Sequence, residues 1–396
     1  CGMRLHRFRI KIFRRLSMKT NKSINVLWDD CLVGVLAMTP DRSVAFQYSD
    51  QWIERGISIS PFSLPVSSKV YVPEKTYFDG LFGIFADSLP DAWGRLLLNR
   101  LLQQKGKNPD SYTVLDRLAI VGNSGMGKLV YEPQIEITQE KRMDDLDELA
   151  GQCQKILNTE YSDKLDELYQ LGGTSGGARP KIMTEYQGKD WIIKFPAHVD
   201  GKNIGRQEYE YSLCARECGI TMSETKLFPS ENCDGYFGIQ RFDREKVDGK
   251  IKRVHVATAA ALLELDYEQP SLDYHSLMKL TQLLTADDHE QREQMYRRMC
   301  FNVFAHNRDD HSKNFSFLYD EGSDRWKLSP AYDLTYSTTH FGEHTTTVDG
   351  NGKDPGFKEL VRVGVQAGMS KDSCEEIAQN VQKCVQQMLG EYISTR

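Results

Sequence analysis

Residues 301–334, FNVFAHNRDDHSKNFSFLYDEGSDRWKLSPAYDL, constrain this chain more than any other stretch. Asp309 is followed after four residues by Asn314. A strand-like run, Asn314 to Leu318, leads to a turn at Asp320-Glu321-Gly322-Ser323-Asp324, and a second run, Trp326 to Leu328, returns the chain to Asp333. The order Asp-x-x-x-x-Asn, hairpin, Asp is one that builds a phosphoryl-transfer site. The first Asp accepts the proton of an attacking hydroxyl, and the Asn and the last Asp hold Mg²⁺ against nucleotide phosphates. Taken alone, the spacing also describes a polar loop beside a hairpin, because Asp and Asn are ordinary turn residues.

The upstream sequence decides between these readings. GGTSGGARPK, from Gly172, is a Gly-rich loop with two hydroxyls: Gly172, Gly173, Thr174, Ser175, Gly176 and Gly177. Glycine lets backbone N–H groups approach an anion closely. The loop opens onto strands (Lys181–Tyr186, then Trp191–Phe195 carrying Lys194), which is the protein-kinase arrangement. Lys181 and Lys194 are the candidate phosphate-facing lysines. A helix follows over Asn203 to Gly219. Its Glu208, fourteen residues past Lys194, is the candidate to orient that lysine, with Glu210 as competitor. YFGIQRFDRE (236–245) reads as a strand that turns polar at Arg241, with Gln240 to Phe242 as a candidate adenine hinge. Helical patterns at 256–265, 274–284 and 290–307 complete the chain up to Asp309.

A second Gly-rich stretch, GNSGMGK at 122–128, fails as a phosphate loop. Leu129 stands where a magnesium-binding hydroxyl is needed, and the following LVYEP is strand-like. Before it, INVLWDDCLVGVLAM and SVAFQY predict an antiparallel sheet over residues 23–72. Ser88-Leu89-Pro90-Asp91 predicts the start of a helix with Trp93, Leu96, Leu97 and Leu101 on its buried face. Residues 137–171 read as acidic and helical.

Composition excludes several classes. A net charge of −6 argues against a nucleic-acid-coating protein, and no window has the ~18 apolar residues of a membrane span. Nine cysteines without a C-x-x-C pair read as reduced thiols of a cytoplasmic protein. Cys214 and Cys218, one helical turn apart, read as a packed helix face rather than a metal site. Residues 1–17 are basic and lack a signal peptide's apolar core; they read as a leader outside the fold, with Met18 a natural start, or as a nucleic-acid or membrane-surface arm.

At GGTSGGARPK, IQRFDR, FNVFAHNRDDHSKNF, SPAYDL and FADSLPDAWGR, the sequence resembles the HipA family of bacterial serine/threonine kinases, the toxins of toxin–antitoxin pairs. The resemblance runs from about Ile24 to Leu389. It implies an α+β, bilobal, protein-kinase-like fold with a strand-rich N-terminal part and an all-helical C-terminal lobe. The expected division is 18–150 for a β-rich subdomain, 151–250 for the lobe with the Gly-rich loop, and 251–396 for the helical lobe. The resemblance implies Asp309 as catalytic base, Asn314 and Asp333 as Mg²⁺ ligands, Lys194 as the ATP lysine, and Gln240 to Phe242 as the hinge. His311 would brace the catalytic loop. The family's self-phosphorylated serine falls on Thr174, with Ser175 beside it. ATP and Mg²⁺ are the implied cofactors. The implied substrate is translation-related, of the glutamyl-tRNA synthetase type, and the implied partner is a small helix-turn-helix antitoxin that carries any DNA binding. Two other readings stay open. One is a nucleotide-binding scaffold acting as co-repressor. The other is a metal hydrolase built on His306, Asp309, Asp310 and His311, with His340 and His344 further on.

Overall fold

The computed structural model describes residues 23–75, 77–137, 145–197, 199–247, 249–339 and 342–394. The basic stretch at 1–17 and His340 lie outside these residues. The expected N-terminal sheet is present: β1 (Ser23–Trp28), β2 (Cys31–Met38), β3 (Val44–Tyr48), β4 (Val70–Tyr71) and β5 (Leu129–Glu132) pair antiparallel in the order β4-β3-β2-β1-β5. Ile24, Val26 and Trp28 alternate inward along β1, the period-2 signature of a half-buried strand. Between the strands run α1 (Asp50–Arg55), α2 (Gly83–Ala86), α3 (Ala92–Gln104) and α4 (Val114–Val121), the last held by a Thr113–Asp116 capping box.

The GNSGMGK turn is structural, as its sequence context predicts. Arg244 and Arg253 donate to the Gly125 and Gly127 carbonyls, and the Gly127 N–H donates to the buried Asp243. Lys128 is buried between Asp29, Glu321 and the Trp28 ring.

After α5 (Leu146–Leu157) and α6 (Leu165–Gly172) comes a four-stranded antiparallel sheet in the order β6-β7-β9-β8: β6 (Lys181–Tyr186), β7 (Lys189–Lys194), β8 (Thr225–Phe228) and β9 (Tyr236–Gln240). Helix α7 (Ile204–Glu217) crosses between β7 and β8. A hairpin of β10 (Arg244–Val247) and β11 (Lys250–Arg253) follows.

The C-terminal part is not all-helical, which corrects the sequence expectation. Besides α8 (Ala259–Leu263), α9 (Tyr274–Leu284), α10 (His289–Phe304), α11 (Phe357–Gln366) and α12 (Lys371–Ser394), it holds a three-stranded antiparallel sheet. That sheet is β12 (His255–Thr258), β14 (Ser316–Asp320) and β15 (Arg325–Leu328), and β13 (Leu272–Asp273) pairs parallel with β16 (Thr346–Thr347). The apolar run at 256–265 divides. His255 to Thr258 pair with β14, and Thr258 then caps α8 by accepting from the Ala261 N–H. Tertiary pairing with the 314–328 hairpin overrides the helical pattern at its start.

Packing crosses the expected division at residue 150. Trp93, Leu97 and Leu101 of α3 share an apolar cluster with Leu149, Leu168, Ile182 and Trp191, so α3 belongs with α5, α6 and the β6–β9 sheet. The N-terminal sheet, through Trp28, Phe46 and Tyr131, shares its core with Tyr274, Phe315 and Val385 of the C-terminal part. Each amphipathic face is buried against whichever complementary face the topology presents, not against its sequence neighbours.

Candidate active site

Lys194 ends β7 directly opposite Lys181 on β6. Its ammonium bridges two carboxylates, Glu208 of α7 and Asp333. Glu208 rather than Glu210 is therefore the partner; Glu210 accepts from the Tyr392 hydroxyl at 2.6 Å on the opposite side, at α12. Burial alone would lower the Lys194 pKa, but the Asp333 and Glu208 charges outweigh it and raise it. Burial would likewise raise Asp333, yet Lys194 and Lys181 hold its carboxyl well below the usual range. Burial keeps Glu208 above its ordinary value. Asp333 has φ +53°, a left-handed conformation that a non-glycine residue adopts at some cost. The preceding residue, Tyr332, has its ring 5.6 Å from that of Phe242.

The Asp309 loop emerges from the end of α10. Asp309 is the exposed member, its side chain 60% accessible. Desolvation by the surrounding loop raises its carboxyl pKa, His311 opposes this, and Asp333 and Asp310 add to the rise. The Asn314 side-chain N–H donates to the Asp309 carbonyl at 2.6 Å. His311 accepts from the Lys313 N–H at 3.2 Å, capping the short turn 312–314, and its Nε2 lies 4.0 Å from the Asp309 carboxylate.

One cavity collects most of the named residues. Gly176, Gly177, Lys181, Lys194, Gln240, Phe242, His311, Asn314 and Asp333 all line it. Ile192, Ile239 and Val256 give it an apolar wall beside Gln240 to Phe242.

Six candidates do not line it: Glu208 reaches it only through its ion pair with Lys194, Asp309 stands outside it beside His311, and Gly172, Gly173, Thr174 and Ser175 lie elsewhere. Gly172 ends α6, where a Cβ would meet the Lys181 carbonyl at 2.1 Å, and Gly173 is packed against Tyr169. Both glycines serve close packing. Thr174 is buried and donates to the Ser124 carbonyl at 3.0 Å; Ser175 is buried and donates to the Gly172 carbonyl at 2.6 Å. Both hydroxyls therefore face backbone carbonyls inside the protein.

The metal-hydrolase reading finds no support in the geometry. Asp310 is buried and spends its carboxylate on the Tyr274 hydroxyl, His344 and the Thr346 N–H. Among the described residues, no group of three His, Asp or Glu side chains converges at ligand distance.

The sequence reading missed Asp87, Asp91 and Lys313, which line the same cavity. Asp91 stands at the start of α3 but makes no capping bond. Its carboxylate accepts from the Gly177 N–H at 2.8 Å and pairs with Lys313. Lys313 lies over the Tyr267 ring at 4.6 Å. Burial would raise the Asp91 pKa, but Lys313 outweighs it and lowers it. Asp87, half-buried and bonded to the Thr258 N–H and hydroxyl, is pushed up to about 6 by burial. The signal for Lys313 was its place one residue before Asn314. For Asp91 there was none beyond a helix-start pattern.

The HipA-like C-terminal domain family matches residues 173–388, and the HipA N-terminal domain family matches residues 24–132. The chain is 25% identical over 352 residues to "Putative kinase Y4mE" of Sinorhizobium fredii, covering 80% of this chain and 77% of that one. It is 26% identical over 212 residues to "Putative kinase Y4dM" of the same organism, covering 50% and 47%. In fold it matches a chain of the Shewanella oneidensis MR-1 toxin–antitoxin complex of HipA, HipB and operator DNA. The TM-score there is 0.70 at 17% identity, over 94% of this chain and 91% of that one.

Proposed function

The chain belongs to the HipA family, and from that membership we propose that it is an ATP- and Mg²⁺-dependent serine/threonine protein kinase. The observation that carries this reading is the Lys194 ammonium held between Glu208 and Asp333, in the cavity that Asn314 also lines. Bound Mg–ATP supplies an electrophilic γ-phosphoryl group whose charge the metal partly neutralises. The residues present fit it. Asp333 is kept ionised by two lysines, and Asn314 spends its amide N–H on Asp309, leaving its amide oxygen as a hard ligand. Lys194 and Lys181 offer positive charge to phosphate oxygens, and Gln240 to Phe242 with the apolar wall offer an adenine slot. Asp309, exposed beside His311, is accessible to a protein hydroxyl and accepts its proton.

A translation-related protein of the glutamyl-tRNA synthetase type is the substrate we propose. A small helix-turn-helix antitoxin is the proposed partner, with DNA contacted through it; the Shewanella neighbour is itself described as a complex with HipB and operator DNA. That description also favours the alternative, a nucleotide-binding co-repressor without turnover. Self-phosphorylation at Thr174 or Ser175 requires the loop to give up the Ser124 and Gly172 hydrogen bonds. No helix of the described residues is long and apolar enough to cross a membrane.

The test is incubation with γ-labelled ATP and Mg²⁺, with and without candidate substrate, followed by mass spectrometry. Phosphate transfer by the wild type and not by Asp309→Asn is the expected result. Saturable ATP binding without transfer to any protein supports the co-repressor, and absence of ATP binding overturns both.

A further inference from the structure

We propose that Cys214, Cys218, Cys384 and Met388 form a binding site for one thiophilic metal ion, monovalent copper in preference to zinc. Cys214 lies on α7 and Cys218 at its C-terminal cap, one turn apart. Cys384 and Met388 lie one turn apart on α12. Spacing of i and i+4 sets each pair on one helix face, and the two helices turn those faces to each other. The three Sγ atoms lie within 4.8 Å of one another. Cys214 and Cys384 are 3.9 Å apart, and the Met388 sulfur is 3.8 Å from that of Cys384. Metal–thiolate bonds of about 2.3 Å set sulfur–sulfur edges of about 3.8–4.0 Å in trigonal or tetrahedral sites. The cluster needs a contraction of less than about 1 Å to meet that geometry.

The helices are already held in register, so the donors are preorganised. Tyr392 of α12 donates to Glu210 of α7 at 2.6 Å, and its ring contacts Tyr211. Cys214 and Cys218 are buried, Cys384 is half-buried and Met388 is 44% exposed. An ion therefore has a path from solvent past the thioether to the buried thiols. Each thiol that ligates releases its proton to solvent. The donor set chooses the metal. Three thiols and a thioether are uniformly soft and suit a monovalent ion content with three sulfurs. Zinc prefers four firm N, S or O donors, and a thioether is a poor fourth. The competing explanation is that small thiols simply pack as apolar groups where two helices meet. No disulfide joins these cysteines. The site is separate from the cavity around Lys194, although it shares α7 with Glu208, so it stands or falls independently of phosphotransfer.

The experiment is anaerobic titration of the reduced, full-length protein with copper(I) against a chromophoric chelator. Sulfur-to-copper charge-transfer absorption and X-ray absorption serve as second readouts. One tightly held ion per chain, in a sulfur-only shell, is expected. Cys384→Ser should weaken it at least tenfold, Met388→Leu less, and Cys233→Ser, which is remote from the cluster, not at all. Cys384 and Met388 are on the accessible side of α12, and an unchanged melting temperature of the metal-free variants certifies that they fold. Undiminished binding in Cys384→Ser, no stoichiometric binding by the wild type, or tighter binding of zinc than of copper would each overturn the proposal.

Discussion

Lys194 and Asp333 form an ion pair although 139 residues separate them in sequence. Glu208 completes the bridge from α7. One ammonium thus joins a strand, a helix and the segment that follows the 314–328 hairpin.

The arrangement distinguishes two glutamates that sequence alone left as rivals. Glu208→Gln should lower phosphotransfer on the order of 10–100-fold, because Lys194 would then rest on Asp333 alone and be misaimed. Glu210→Gln, at the Tyr392 contact, should change it less than about threefold. Steady-state kinetics with ATP as the varied substrate reads both; equal effects would remove the special role of Glu208.

Asp309→Asn should cost roughly 10²–10⁴ in turnover, the usual loss when a general base is removed. Because the Asp309 side chain is exposed and its carbonyl, not its carboxylate, receives the Asn314 bond, the melting temperature should hold within about 1–2 °C. A variant that loses stability instead would show that Asp309 supports the loop.

Asp91 and Lys313 form a half-buried pair, each side chain about one-sixth exposed (16% and 15%). Asp91→Ala strands the Lys313 ammonium and frees the Gly177 N–H, so it should cost about 3 kcal/mol, toward the lower end for a broken buried pair. Adding Lys313→Met should recover part of that loss. Urea unfolding of the two single variants and the double gives the coupling energy; strictly additive losses would mean that the pair does not interact.

Acid should destabilise the fold first through His255. This ring is buried against Trp28 and Trp326, and its Nε2–H donates to the Ile59 carbonyl. Burial lowers its pKa to about 4, with Lys128 adding to the fall and the Ile59 bond and Glu321 opposing. The unfolded ring titrates near 6.5. The folded state therefore binds fewer protons between these values. Its contribution is complete above about 6.5 and is lost progressively toward pH 4, about 3 kcal/mol in all. Asp243, depressed to about 2 by Arg241 and Arg244 against its burial, loses its contribution only below about 4. Stability measured against pH should fall across 6.5–4 in the wild type and lie flatter in His255→Phe. An identical slope in both would assign the acid limb elsewhere.

Much of the site was legible in the sequence because it is made of short spacings. Asp309 and Asn314 are tied by one loop, and Lys194 and Lys181 by one hairpin. Gly176 and Gly177 follow from the same local grammar. The reading failed where local grammar and packing use the same residues. Gly172 and Gly173 looked like phosphate-loop glycines, yet each is needed where a Cβ would strike a neighbour. Thr174 and Ser175 read as hydroxyls of a phosphate loop, yet they are spent on backbone carbonyls. Asp91 looked like a cap and serves the cavity. Cys214 and Cys218 do lie on a packed helix face as read, but nothing in their own stretch announced that Cys384 and Met388 would arrive opposite.

The sequence by itself determined which segments become strands and helices over most of the chain, and the order in which charged and amide side chains meet the chain's turns. It did so because backbone periodicity, capping and turn chemistry act over a few residues. Only the tertiary structure decided that α3 packs with the β6–β9 sheet, that the C-terminal part carries its own sheet, and that Lys194 chooses Glu208 and Asp333. Those outcomes depend on which apolar face is buried against which, and on charges brought together across long stretches of chain. Burial and Coulomb energy depend on distance in space, and that distance is set by the whole fold at once.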